Sequence, residues 1–214
     1  MSIFDSVTVT LLIILFTALV SYQGFNNYHL VDKWKHFPYR ETHNKEWFRL
    51  LTSGFVHADW VHLLVNMYVL WSFGRLIEAQ IVSWYNPSTG RLIFLLIYLF
   101  NIILANLPST FRQANNPGFA SIGASGAVSG LLFMYILLNP WATFGLMFII
   151  PVPAVILGIG YLIYSSWAAN RGHGRIDHSA HFAGALAGMA MFILIHREVL
   201  DIFFSRLTSD FPLR

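Results

Sequence analysis

Long apolar runs separated by polar connections organise this chain. Mostly apolar stretches cover approximately 3–22, 60–79, 91–107, 122–138, 152–167 and 179–195. A helix needs roughly 17–25 such residues to cross a bilayer core, and each run is close to that length. The pattern predicts an all-α polytopic membrane protein, a six-helix bundle in one domain over 1–214. Arg91 and Pro108 bound the third run, and Asn139-Pro140 stops the fourth. The stretch 141–151 fits less well. It is apolar but interrupted by Gly145 and Pro151, with Pro153 just beyond, so it reads as a re-entrant piece or a lengthened fifth helix.

The connection 23–59 is long and carries Trp34, Phe37, Tyr39, Trp47, Phe48 and Phe55 among charged residues. Aromatics at that density predict a loop lying at the membrane interface, partly helical. The tail after His196 alternates apolar and charged residues and reads as solvent-facing. No internal repeat is visible, which argues against the inverted-repeat design of many secondary transporters.

Composition strengthens the membrane reading. The chain is 56% hydrophobic and 11% charged, with a mean hydropathy of +0.58; soluble domains carry about a quarter charged residues. The formal charge of +3 comes from 13 Lys and Arg that form no basic run. Interfacial anchoring accounts for them, and no nucleic-acid partner is expected. With no Cys, thiolate nucleophiles and Cys–zinc sites are excluded. The first run lacks the basic start and small-x-small cleavage site of a secretory signal, and the Arg-rich character of a transit peptide. It is read as an uncleaved span.

Polar residues inside membrane segments are costly and so are functional candidates. Runs two, four and six cross in the same direction. His62 and Asn66 begin run two, Ser125 begins run four, and His181 begins run six, so all four share one shallow depth. His62 and Asn66 are four apart, on one helical face. Gly126 and Gly130, and Gly184 and Gly188, make two small-xxx-small stripes that let backbones approach closely. A close crossing of runs four and six would bring the Ser125 hydroxyl to the His181 ring, the geometry of a base-activated nucleophile. Each residue has a plainer alternative. Ser125 can bond its own helix, the glycines can serve packing alone, and Asn66 can be interhelical glue. A lone His can be structural or a metal or haem ligand, and Asp177 and His178 look like a solvated loop end.

Three elements in order then carry a resemblance: His62-Leu-Leu-Val-Asn66, Gly123-Ala-Ser125-Gly126, and Ala180-His181-Phe-Ala-Gly184-Ala-Leu-Ala-Gly188. The chain resembles the rhomboid intramembrane serine proteases over essentially its whole length. Phe73-Gly74 and Glu78 are also similar to the family pattern. The resemblance implies Ser125 as nucleophile and His181 as general base, without an acidic third member. It implies an oxyanion hole from His62, Asn66 and the Ser125 N–H. Gly123, Gly126, Gly184 and Gly188 would support that site. The long first loop would be lipid-embedded, span five the substrate gate, and the loop 168–177 its cap. Substrates would be transmembrane segments of other proteins in the bilayer, and no cofactor is implied.

Two positions depart from the family pattern. Phe48-Arg49 stands where Trp-Arg is frequent. Ser129 stands where many members stack an aromatic on the catalytic His, leaving His181 to be oriented by Phe182, Tyr135 or a hydrogen bond from the span-five side. The competing readings are a non-catalytic protein of this fold that binds membrane clients, and a transporter or haem or metal protein. A metalloprotease is excluded because no His-Glu-x-x-His occurs. Short length and the lack of a transit segment favour a bacterial cytoplasmic membrane over a eukaryotic endomembrane.

Overall fold

The structure is a computed structural model that describes residues 8–146, 150–171 and 176–209. Residues 3–7 of the first expected span, 147–149, and 172–175 of the expected cap lie outside them. Helix α1 (Val9–Phe25) leads into three short helices, α2 (Tyr28–Trp34), α3 (Pro38–His43) and α4 (Arg49–Thr52). A 3-10 turn, Ser53–Phe55, precedes α5 (Trp60–Val69), which runs through a π-helical turn, Leu70–Gly74, into α6 (Arg75–Trp84). There follow α7 (Pro87–Arg112), α8 (Ser125–Leu138), strands β1 (Thr143–Leu146) and β2 (Ile150–Pro153), α9 (Ala154–Arg171), α10 (His178–Ile195) and α11 (Val199–Ser209). Of these, Pro87–Arg112 and His178–Ile195 are long and apolar enough to cross a membrane by length and composition. Val9–Phe25 and Ser125–Leu138 are apolar but shorter.

The fold is mostly helical, with one correction to the all-α expectation. The described part of the stretch 141–151 is not a lengthened fifth helix but carries two strands. β1 and β2 pair antiparallel, with Pro151 opposite Gly145 and Pro153 opposite Thr143. Proline cannot donate to a helix interior, but it fits an edge strand, so α9 begins only at Ala154. The opposite error occurs at Pro108, which lies inside α7 and does not end it. Ser109 Oγ and Thr110 Oγ1 each donate to the Asn106 carbonyl at 3.0 Å and hold that turn together.

Polar anchors set the positions of the helices. Glu78 on α6 accepts from the N–H groups of Val9 and Thr10, at 2.8 Å each, and from Thr10 Oγ1 at 2.7 Å. A carboxylate at a helix N-terminus satisfies unpaired donors and meets the positive end of the dipole, which fixes where α1 starts. The connection 23–59 is a folded unit with a buried polar centre. His36 Nδ1 lies 2.7 Å from Glu41 Oε1 and His36 Nε2 lies 3.0 Å from Ser109 Oγ. Arg49 is buried and donates to the carbonyls of Asp32 and Lys35, while Trp47 and Phe48 are exposed. The tail is not free: α11 docks on α8, where Arg206 donates to the Leu138 carbonyl and Trp141 Nε1 to the Leu207 carbonyl.

The outer surface is apolar. Leu12, Leu15 and Leu19 of α1, Val61, Leu64 and Val65 of α5, and Ile156, Ile159 and Ile163 of α9 are all exposed. Exposed apolar area on that scale is costly in water and suits contact with hydrocarbon. Inside, α8 is the most enclosed helix, with α10 pressed against it. A Cβ on Gly188 would lie 2.5 Å from the Gly130 Cα, and one on Gly184 would collide with the Gly126 backbone. These four glycines are where two backbones touch.

Candidate active site

The glycine crossing sets the side chains that precede it. Ser125 is the first residue of α8. His181 lies one turn into α10, whose N-terminus is capped by Asp177 accepting from the Ala180 N–H at 3.0 Å. Ser125 Oγ and His181 Nε2 are 2.7 Å apart. No carboxylate bonds the other ring nitrogen among the described residues. Asp177 and His178, expected as a solvated loop end, are instead the cap and first residue of α10. The His178 ring stands edge-on to His181, with centroids 5.9 Å apart.

The turn before Ser125 is held from three sides. His36 and Ser121 exchange both backbone hydrogen bonds at 3.0 Å, and the Gly123 N–H donates to the Ser53 carbonyl at 2.9 Å. Gly123 has φ +117, in the left-handed region glycine tolerates. A Cβ there would lie 2.6 Å from His62 Cε1, so the peptide packs directly on that imidazole. The sharp turn makes α8 begin at Ser125, three residues after the expected start at 122. As the first helical residue, Ser125 presents a backbone N–H with no partner inside the helix.

His62 and Asn66 face the same space. The Ala58 N–H donates to His62 Nδ1 at 3.5 Å, which puts the imidazole proton on Nε2, beside Gly123. Asn66 Nδ2 donates to the His62 carbonyl at 2.9 Å, and its second N–H remains for another acceptor. His62, Asn66, Gly123, Ser125, Gly126 and His181 all line one cavity of about 500 Å³. A serine hydroxyl against an imidazole, with amide, imidazole and main-chain donors in one cavity, can activate a nucleophile and hold a developing oxyanion.

Sequence reasoning missed two residues. The first is His57. The Ala124 N–H donates to its Nε2 at 3.3 Å, so Nδ1 carries the proton and donates to Ser21 Oγ at 2.9 Å, which in turn donates to the Phe55 carbonyl at 3.0 Å. The chain of bonds links α1 to the turn before Ser125. His57 sits in the connection ahead of α5, and burial pushes its pKa down to about 3. It stays neutral, as an acceptor at Nε2 must.

The second is Tyr161 on α9. Ser129 Oγ donates to the Ser125 carbonyl at 2.8 Å, so the Tyr161 hydroxyl, 2.6 Å away, donates to Ser129. The Tyr161 ring lies nearly parallel to His181, with centroids 6.3 Å apart and planes at 16°. The aromatic absent at Ser129 is therefore supplied from the fifth run, as a stack and not as the hydrogen bond expected from that side. Tyr135 packs elsewhere, against Phe73 and Phe144.

The fold is mostly helical with an apolar exterior, and a serine hydroxyl meets an imidazole inside one cavity. The chain belongs to the rhomboid family: a family model for the Rhomboid domain matches residues 44–198. Rhomboid-like protein 11, chloroplastic, of Arabidopsis thaliana is 29% identical, over 71% of this chain and 53% of that protein. RHOMBOID-like protein 12, mitochondrial, of the same plant is 32% identical over 64% of this chain and 43% of that protein. Rhomboid protease GluP of Bacillus subtilis is 32% identical over 67% of this chain and 25% of that protein. The chain thus spans about half, or less, of the length of these curated relatives. The family is membrane-embedded, consists generally of intramembrane serine proteases, and acts on membrane-protein substrates. Chloroplastic and mitochondrial relatives give the expected bacterial inner membrane no support; the membrane itself is what the relatives share.

Proposed function

We propose that this protein is an intramembrane serine endopeptidase that cleaves transmembrane segments of other membrane proteins. The observation that carries the reading is the 2.7 Å contact of Ser125 Oγ with His181 Nε2 inside a cavity shared with His62 and Asn66. Six spans are proposed: α1, α5 with α6, α7, α8, α9 and α10. Polar and ionisable side chains gathered inside apolar walls are costly, and a catalytic role accounts for their presence.

In the proposed mechanism Ser125 Oγ attacks the scissile carbonyl carbon while His181 Nε2 takes the hydroxyl proton. The carbonyl oxygen becomes an oxyanion held by the Ser125 N–H, the free Asn66 N–H and His62 Nε2–H. Collapse of that intermediate breaks the C–N bond, and the imidazolium gives its proton to the leaving amine. Water then attacks the acyl-serine with His181 as base, releasing the new carboxyl terminus and restoring Ser125. A helical substrate hides its carbonyls in its own hydrogen bonds, so cleavage is expected where small or helix-breaking residues let it unwind.

The test is cleavage in proteoliposomes of a single-span substrate with a small-residue stretch near one end. Two fragments are expected with the wild-type protein and none with Ser125→Ala at equal helical content. An intact substrate with wild-type protein would leave the client-binding reading in its place.

A further inference from the structure

We infer that Tyr161 is a positioning residue for His181 and that, because it lies on α9, it makes imidazole alignment depend on where α9 sits. The inference rests on the proteolytic reading above. Three side chains are placed around the His181 ring. Ser125 holds Nε2, His178 stands edge-on at 82°, and Tyr161 lies near-parallel and offset at 16°. An offset stack within about 4.5–7 Å is worth roughly 0.5–1.5 kcal/mol. Without it, the hydrogen bond to Ser125 and the edge contact of His178 are left to restrain the imidazole against rotation.

The hydroxyl of the same residue strengthens the link. It donates to Ser129, which donates to the Ser125 carbonyl. Tyr161 therefore bridges both helices that carry the pair: its ring to α10, its hydroxyl to α8. The Phe133 ring also packs near the Tyr161 ring, tilted at 48° with centroids 5.8 Å apart. Ser129 leaves the space this side chain fills.

The helix that carries Tyr161 is lightly embedded. Of its 18 residues, Ala154, Gly158 and Ser165 are buried, while Ile156, Ile159, Ile163, Tyr164 and Trp167 are exposed. It also packs on α8 at Gly158, where a Cβ would lie 2.9 Å from Ile136 Cδ1. An outward shift of α9 withdraws ring and hydroxyl in one movement. The imidazole is aligned when α9 is seated and released when it is not.

The experiment is a double-mutant cycle on the purified full chain. It reads the second-order rate of Ser125 labelling by a small fluorophosphonate, together with kcat and KM on a transmembrane substrate. Tyr161→Leu is expected to slow labelling and lower kcat about three- to tenfold, the range a lost stack allows, with KM within twofold. Tyr161→Phe, which keeps the ring, should recover most of the rate. Gly158→Val, whose side chain collides with Ile136 and unseats α9, should slow labelling by a similar factor, and the double variant Gly158→Val with Tyr161→Leu no further. Gly160→Ala, where a Cβ meets nothing within 4 Å, should behave as wild type and shows that change on α9 alone is harmless. Wild-type labelling in Tyr161→Leu, equal loss in Phe and Leu variants, or additive losses in the double variant would each overturn the inference. Those failures leave Ser125 labelled in the wild type, whereas failure of the proteolytic reading leaves it unlabelled.

Discussion

Gly184 of α10 lies against the backbone of Gly126 of α8, so closely that even a methyl group on Gly184 would enter the Gly126 peptide. That contact sits one residue after Ser125 and one turn after His181, and it sets the 2.7 Å between the Ser125 hydroxyl and the His181 ring.

Gly184→Ala and Gly188→Ala are therefore expected to lower stability and activity together. Overpacking a close contact costs about 1–3 kcal/mol, and the separated helices would pull His181 off Ser125. Thermal melts and turnover on one detergent preparation check this. Normal melting with lost turnover would contradict a packing role.

Asn66→Ala should do the reverse. The Asn66 side chain donates within its own helix, to the His62 carbonyl, and a hydrogen bond in a membrane protein averages about 0.6 kcal/mol. Turnover should fall by about 10²–10³, the usual loss for one oxyanion donor, with little change in melting temperature. A large drop in melting temperature with proportionate loss of activity would reject the oxyanion role.

His57 predicts a pH dependence of stability. Its pKa is about 3 when folded against an ordinary 6.5, so below 6.5 the unfolded chain takes up the proton first. Its contribution is intact above about 6.5 and is lost progressively as pH falls toward about 3. His57→Gln can still accept from Ala124 and donate to Ser21 but does not titrate. Its stability should fall less steeply across that window, as read from denaturation at a series of pH values. Parallel curves for the two proteins would contradict this account of His57.

The sequence carried the parts of the site that depend on local spacing. His62 and Asn66 share a helical face by their four-residue interval, and the two glycine stripes announce a close crossing that the structure contains. What stayed hidden depends on distant partners. Tyr161 lies 32 residues from Ser129, in an apolar run where one aromatic looks like any other. His57 gains meaning only through Ser21 and Ala124, from two other parts of the chain. Prolines misled in both directions, because Pro108 sits in a turn held by Ser109 and Thr110, while Pro151 and Pro153 pair in a hairpin that an apolar run conceals. The carboxylate of Glu78 gave no sign that its work is to cap α1.

His178 offers a check on which imidazole is the base. It borders His181 but makes no hydrogen bond to Ser125. His178→Ala should keep at least half of the wild-type turnover, while His181→Ala should keep none above background. Comparable loss in both would mean that the two rings act together.

The most direct measurement is the labelling of the purified protein by a fluorophosphonate, with the modified residue located by mass spectrometry. An unactivated serine hydroxyl is a weak nucleophile, so labelling reports the pair and not the side chain alone. Wild-type protein should be modified at Ser125, with cleavage lost in step, and both Ser125→Ala and His181→Ala should stay unmodified. A wild-type protein that cleaves its substrate while Ser125 remains unlabelled, or a His181→Ala variant labelled at the wild-type rate, would contradict the assignment of Ser125 and His181 as the catalytic pair.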